Sequence, residues 1–323
     1  MIKKIYFFGT SHTAGGGFEF ESKIKQNPGD EISKNLDKTR GEYIKEIYSE
    51  LFPDEEQTQE NYSFVGQFKK LLIEKKIDVE VINISKQGYG NERIYRKFYD
   101  IVNEKNFKIK DSLFVFEFSD IERKEIWNND LNGYTILNYS ITKRDMNNTI
   151  HQIFDTPNLN NISIAKTYWY ENENDKKILD DDYHFYKKIV DKTINGNEVV
   201  NLLYNNLLGF LSFLEINSFN FLIAEFPNLI KDKKSRYMDF IKNKRILFDE
   251  YENMIEFINK NKLLIFSETE EKYTDLHASF TGNKLIAKYI FNSCIDNNFI
   301  IGDKCIISKN DFKFPKKTKT FLI

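Results

Sequence analysis

Short apolar runs alternate along the chain with longer stretches whose apolar residues recur every three or four positions. The runs are KIYFFG (4–9), DVEVINIS (78–85), SLFVFEFS (112–119), FNFLIAEF (219–226) and KLLIFSE (262–268). Each is β-branched or aromatic and bounded by turn-forming or charged residues, which predicts buried strands. Between them, NYSFVGQFKKLLIEKK (61–76) places Phe64, Phe68, Leu71 and Leu72 at helical spacing. NERIYRKFYDIVNEK (91–105) does the same with Ile94, Phe98, Ile101 and Val102. Residues 183–216 and 236–260 are long and helix-like. TGNKLIAKYIFNSC (281–294) predicts a last helix with Leu285, Ile286, Tyr289 and Ile290 on one face.

Strands alternating with helices predict an α/β fold with a parallel sheet covered on both faces. Ligands of such sheets sit at the carboxyl ends of the strands, so any chemistry should follow a strand. Two stretches interrupt the alternation. Residues 18–60 are charged and polar, and residues 121–182 are rich in Asn, Asp and aromatics without a clean period. They read as insertions in a single domain spanning 1–296, followed by a C-terminal extension, 297–323. The end of that extension, KNDFKFPKKTKTFLI (309–323), is basic and interrupted by proline.

With 323 residues, 41% of them hydrophobic, the chain can bury a sizeable core. A formal net charge of −2 gives no basic footprint for nucleic acid. No window approaches the roughly 20 apolar residues of a membrane span. The N-terminal apolar run is also shorter than the roughly 7 to 15 residues of a signal peptide's apolar core. The expectation is therefore a cytoplasmic protein with neither nucleic-acid nor membrane partner. Cys294 and Cys305 are too few for a disulfide framework. Nothing in the pattern sets an oligomeric state.

Histidine is scarce: His12, His151, His184 and His277 are the only four. Ser11 follows the first strand in FFGTSHTAGGGF (7–18), where a serine is either a nucleophile or a helix cap. A nucleophilic hydroxyl needs a neighbouring base near neutral pH. His277 supplies one from YTDLHASFTGNKLIA (273–287), after the fifth run, with Asp275 two residues upstream to orient the imidazole. Ser11 and His277 thus fall at the same predicted sheet edge.

After the second strand comes NISKQGYGNERI (83–94), where Gly88 and Gly90 allow close backbone approach to a ligand and Asn91 can cap the next helix. A backbone N–H from this turn, such as that of Gly88, joins the Ser11 N–H as a candidate oxyanion hole. His12, Gly90 and Asn91 are expected to line the pocket; His12 adjoins Ser11, but neighbouring side chains on a turn diverge. In SDIERKEIW (119–127), Asp120 and Arg123 stand at the i,i+3 spacing of a helical ion pair. DDDYH (180–184) reads as a solvated loop, and no His, Cys or Asp cluster has metal-ligand spacing. TAGGGF (13–18) lacks the lysine of a phosphate-binding loop, so neither metal nor cofactor is expected.

Together these blocks resemble the SGNH, or GDSL-type, hydrolases. The family's Gly-Asp-Ser after the first strand is matched by Gly9-Thr10-Ser11. Its Asn-x-Gly-x-x-Gly-like turn is matched by Asn83 and Gly88, with Ser85 at the middle glycine. HASFTGNKLIAKYI (277–290) is similar to the block that carries the catalytic histidine ahead of a glycine-containing helix start. The chain departs at the third block, usually Gly-x-Asn-Asp, which here reads Glu117-Phe118-Ser119-Asp120. That leaves the third oxyanion donor to Ser119 or to backbone N–H groups alone. The family's aspartate position, three before the histidine, is Thr274, one residue from Asp275.

The resemblance implies a flavodoxin-like three-layer α/β/α sandwich with a five-stranded parallel sheet. It implies a Ser11–His277–Asp275 machinery acting on acyl esters, often acetyl esters of carbohydrates, by hydrolysis or transfer. A protein of this fold that has lost activity and binds carbohydrate or serves assembly is the alternative.

Overall fold

Alternating side chains along four apolar runs build the centre of the molecule. The computed structural model describes residues 1–15, 59–86, 90–118, 123–128, 133–140, 163–165, 196–226, 242–251, 253–267 and 272–312. Strands β1 (Lys4–Phe8), β2 (Glu80–Asn83) and β3 (Ser112–Glu117) form a parallel sheet that is completed by Asn220–Glu225. This last strand is β7 in chain order, and the spatial order is β2-β1-β3-β7. Every pair is parallel, as strands linked through helices require.

Successive residues of a strand face opposite sides, and the two sides bury different helices. Ile5 and Phe7 of β1, with Leu113, Val115, Leu222 and Ala224, pack on one side. There they meet the helices α3 (Phe64–Glu74) and α7 (Phe280–Asp296) through Phe68, Leu72, Ile286, Ile290 and Phe291. Tyr6 and Phe8, with Phe114, Phe116, Phe221 and Ile223, face the other side. That side is covered by α4 (Asn91–Val102) and α5 (Gly196–Ile216) through Ile94, Phe98, Leu207, Leu211 and Leu214. Phe98 stands edge-on to Phe114, Phe210 and Phe219, with centroids 5.0, 5.2 and 5.2 Å away. Such edge-to-face contacts place positive ring edges against negative faces.

The predicted helix over 61–76 divides in two. Gln59–Tyr62 forms a turn, α2, and Ser63 then caps α3 by accepting the Gly66 N–H at 3.2 Å. The segment expected to be helical over 236–260 is mostly not so where described. Ile246 N–H donates to Ile223 O at 2.9 Å, so this segment borders the free edge of β7. Ile246 and Phe248 are buried and Leu247 is exposed, the alternation of extended chain. Within it Met254–Lys260 (α6) is α-helical and Lys242–Lys244 forms a single 3₁₀ turn.

The fifth run does form a strand, β8 (Leu264–Ser267), but it pairs antiparallel with β9 (Lys272–Ala278). Among the described residues the parallel sheet therefore has four strands. The polar composition of KYTDLHA concealed β9, which the sequence pattern leaves as an unassigned stretch between the fifth run and the last helix.

Part of the 121–182 insertion is also sheet. Strands β4 (Arg123–Asn128), β5 (Gly133–Ser140) and β6 (Ser163–Ala165) pair antiparallel in that order. Arg123, expected on a helix, opens β4 instead, and Asp120 lies outside the described residues. Most of the 18–60 insertion, and His151 and His184, lie outside the described residues. After α7, Phe299, Ile300, Cys305, Ile307 and Phe312 pack onto the α3–α7 side of the core. No described helix is long and apolar enough to cross a membrane.

Candidate functional site

β1 ends at Phe8, and the chain turns at Gly9 and Thr10 into the four-residue helix α1 (Ser11–Ala14). Gly15 closes it in the left-handed region, φ 76°, with its N–H directed at the His12 and Ser11 carbonyls. That conformation favours glycine. The sheet register places Phe8 beside Phe116, so Glu117 emerges next to this turn.

Glu117 is 2% exposed, and its carboxylate is surrounded by the turn. Oε2 accepts the Thr10 N–H at 3.1 Å and the Thr13 N–H at 2.7 Å. Oε1 accepts the Thr10 hydroxyl at 2.7 Å, and the Thr13 hydroxyl donates to Oε2. A buried carboxylate requires such compensation, since an ion removed from water without partners is very costly. The opening turn of a helix has unsatisfied N–H groups to offer. Glu117 takes the amides of Thr10 and Thr13, which bracket Ser11 and His12.

β2 grips the turn from the other side. Asn83 pairs with Phe7 in the sheet, and its Nδ2 donates to Thr13 O at 3.4 Å. Its Oδ1 accepts the Ser85 N–H at 3.1 Å and the Ser85 hydroxyl. Asn83 and Ser85, two positions of the second block, therefore fasten backbone. Gly90 is the N-cap of α4, with φ −104°, and Asn91 is the first helical residue. The expected capping role of Asn91 passes to Gly90. Both are buried. Gly88 and Ser119 lie outside the described residues.

His277 sits on β9, one residue before its end. The β8–β9 register jumps from Leu264–Ala278 to Phe266–Tyr273, so 274–277 stand against Ile265 alone. Bulges of this kind re-aim side chains and are common beside active sites. Asp275 belongs to the same irregular stretch, but its side chain lies outside the described ones. The segment after His277 is firmly held. Ala278 O accepts from Tyr62 Oη and Asn283 Nδ2, each at 3.3 Å, and Ser279 N–H donates to Leu263 O at 2.8 Å. Ser279 then caps α7 by accepting the Gly282 N–H at 3.2 Å.

The α1 turn lies against β9. The His12 and His277 rings meet at a centroid distance of 4.7 Å, tilted by 38°. His12 Nδ1 and His277 Nε2 are both buried. The structure thus brings His12 onto His277, and Ser11 enters the same neighbourhood through the backbone it shares with His12. From the sequence His12 is expected only to line the pocket, and Glu117 has no expected role. The signal for Glu117 was available in SLFVFEFS, where one carboxylate interrupts an apolar strand and must find partners if buried.

Among the described residues, no group of three or more His, Cys, Asp or Glu is arranged to hold a metal ion. A turn bearing a hydroxyl beside an imidazole is suited to nucleophilic chemistry assisted by a base. In comparisons with family profiles, curated proteins and solved structures, nothing matches this chain.

Proposed function

We propose that the chain is a serine-dependent hydrolase or acyltransferase of SGNH type, acting on small-molecule or glycan acyl esters, acetyl esters foremost. One observation carries the reading: the 4.7 Å contact between His12 and His277, which joins the Ser11 turn to the only histidine expected to act as base. In this reading Ser11 Oγ attacks the acyl carbonyl while His277 takes its proton. The oxyanion is held by the Ser11 N–H and a second N–H at Gly88, with Ser119 the alternative third donor. His277 then returns the proton to the leaving alcohol. Water or an acceptor alcohol releases the acyl group from Ser11, again with His277 as base, and Asp275 orients the imidazole.

The order β2-β1-β3-β7 supports a flavodoxin-like sheet, whose strand order is 2-1-3-4-5. A fifth parallel strand beyond β7 would complete it, and the parallel bridge from Ile223 to Arg245 supports pairing at that edge. A cytoplasmic location belongs to the same proposal.

Short-chain p-nitrophenyl esters and a serine-directed phosphonate test the chemistry. Wild type should turn over and label at Ser11, and Ser11→Ala or His277→Ala should lose at least about 1,000-fold in kcat. Equal background rates in all three proteins, with no labelling, would refute it. A sugar acceptor added to the assay separates transfer from hydrolysis. The carbohydrate-binding or assembly reading is favoured by Glu117, which stands at the third block and is committed to the turn. It expects acetylated-glycan binding that Ser11→Ala leaves intact, without turnover.

A further inference from the structure

We propose that Glu117 is the positioning residue of the nucleophile turn, setting Ser11 and His12 against His277 from a neighbouring strand. The proposal rests on the serine reading above and adds a residue to it. Glu117 holds the residues on either side of Ser11 and His12 by two amides and two hydroxyls. With Asn83 bonded to Thr13 O, the turn is fixed from both adjacent strands. The close fit leaves no slack: a Cβ on Gly9 would lie 2.5 Å from Glu117 Oε2. A carboxylate suits this place because Oε2 alone receives three donors. An amide of the same size would present an NH₂ group on one side.

Glu225 provides the comparison. It stands opposite Glu117 at the end of β7, is also buried, and accepts the Ile255 N–H at 2.8 Å at the start of α6. Its loss should weaken the fold without moving the Ser11 turn.

The experiment compares Glu117→Gln and Glu225→Gln in the full chain by thermal unfolding, ester kinetics and the imidazole NMR signals of the four histidines. Glu117→Gln should lower kcat by about 100-fold, the scale of a roughly 1 Å misplacement, with KM changed by less than about twofold. Its His12 and His277 signals should shift. Glu225→Gln should lower the melting temperature but leave kcat and those two signals near wild type. Should Glu117→Gln not fold, Thr13→Val should lower kcat and Thr13→Ser, which keeps the hydroxyl, should recover most of it. Activity that falls only in step with stability in both glutamine variants would overturn the proposal. If wild type neither turns over nor labels, the serine reading fails on its own. The NMR comparison then still decides: selective shifts in Glu117→Gln support the positioning role, and equal shifts in both variants overturn it.

Discussion

Gly9→Ala probes the tightest approach at the site. The added Cβ would stand 2.1 Å from Thr13 Oγ1, 2.5 Å from Glu117 Oε2 and 2.6 Å from Thr13 Cβ. Ordinary van der Waals separations are well above 3 Å, so Thr13 and Glu117 must retreat by about 1 Å. Overpacking of this kind costs about 1–3 kcal/mol. The retreat also stretches the Thr13 N–H and hydroxyl bonds to Glu117, where hydrogen bonds to a charged group contribute about 1.5–3 kcal/mol each. Allowing for partial relaxation, Gly9→Ala should lose about 3–5 kcal/mol, a large part of a net stability of about 5–15 kcal/mol. Urea unfolding with an unchanged m-value is the measurement. Gly209→Ala is the contrasting variant. Gly209 lies exposed within α5 and a Cβ there meets nothing within 4 Å, so helix propensity should make it stabilising by up to about 1 kcal/mol. A Gly9→Ala loss below about 1 kcal/mol would refute the reasoning.

Ser279→Ala removes the cap of α7 and should cost about 1 kcal/mol in thermal unfolding; no change would mean the Gly282 N–H finds another acceptor. At Asp311, burial pushes the carboxyl up, but the Lys288 ammonium at 2.7 Å and the Ser308 amide and hydroxyl outweigh it and hold it below the usual carboxylate value. A lowered folded pKa stabilises above the unfolded value and is lost as pH falls through the folded one. Lys288→Ala should therefore destabilise at neutral pH and converge on wild type in acid; a pH-independent difference in unfolding curves would contradict this. Burial pushes the Cys294 and Cys305 thiols up, Cys294 far above the ordinary range. Less thiolate means slow native labelling by a disulfide reagent at pH 8 and two rapid equivalents after denaturation; prompt native reaction at Cys294 would argue against its burial.

β1, β3 and β7 were legible because each is a dense apolar run, the expected signature of strands buried on both faces. β2, outermost in the described sheet and at best half-buried, showed itself by the alternation of Val79, Glu80 and Val81. Helices α3, α4 and α7 followed from the spacing of Phe64 and Phe68, Ile94 and Phe98, and Leu285 and Tyr289. β9 was not legible, because Thr274, Asp275 and His277 break any alternation and its partner is local to a hairpin. Ile246 and Phe248 misled for the opposite reason. Their apolar character fits a helix, and only the free edge of β7 makes the segment extended. The site divides along the same line. Ser11 and His277 stand out by scarcity and by their position after strands. His12 and Glu117 acquire meaning only through long-range placement, His12 by the arrival of β9 and Glu117 by the β1–β3 register.

The fastening of the α1 turn also dictates when it can form. Thr10 and Glu117 are 107 residues apart, so a turn of four residues depends on a contact that closes a very long loop. The entropy of that closure is recovered only when β1 and β3 pair, which makes the turn a late product of folding. A chain emerging from the ribosome would carry Ser11 for some hundred residues without its final geometry. Hydrogen exchange at the Thr10 and Thr13 amides should accordingly follow the opening of the β1–β3 pair, with faster independent exchange showing that the turn forms by itself.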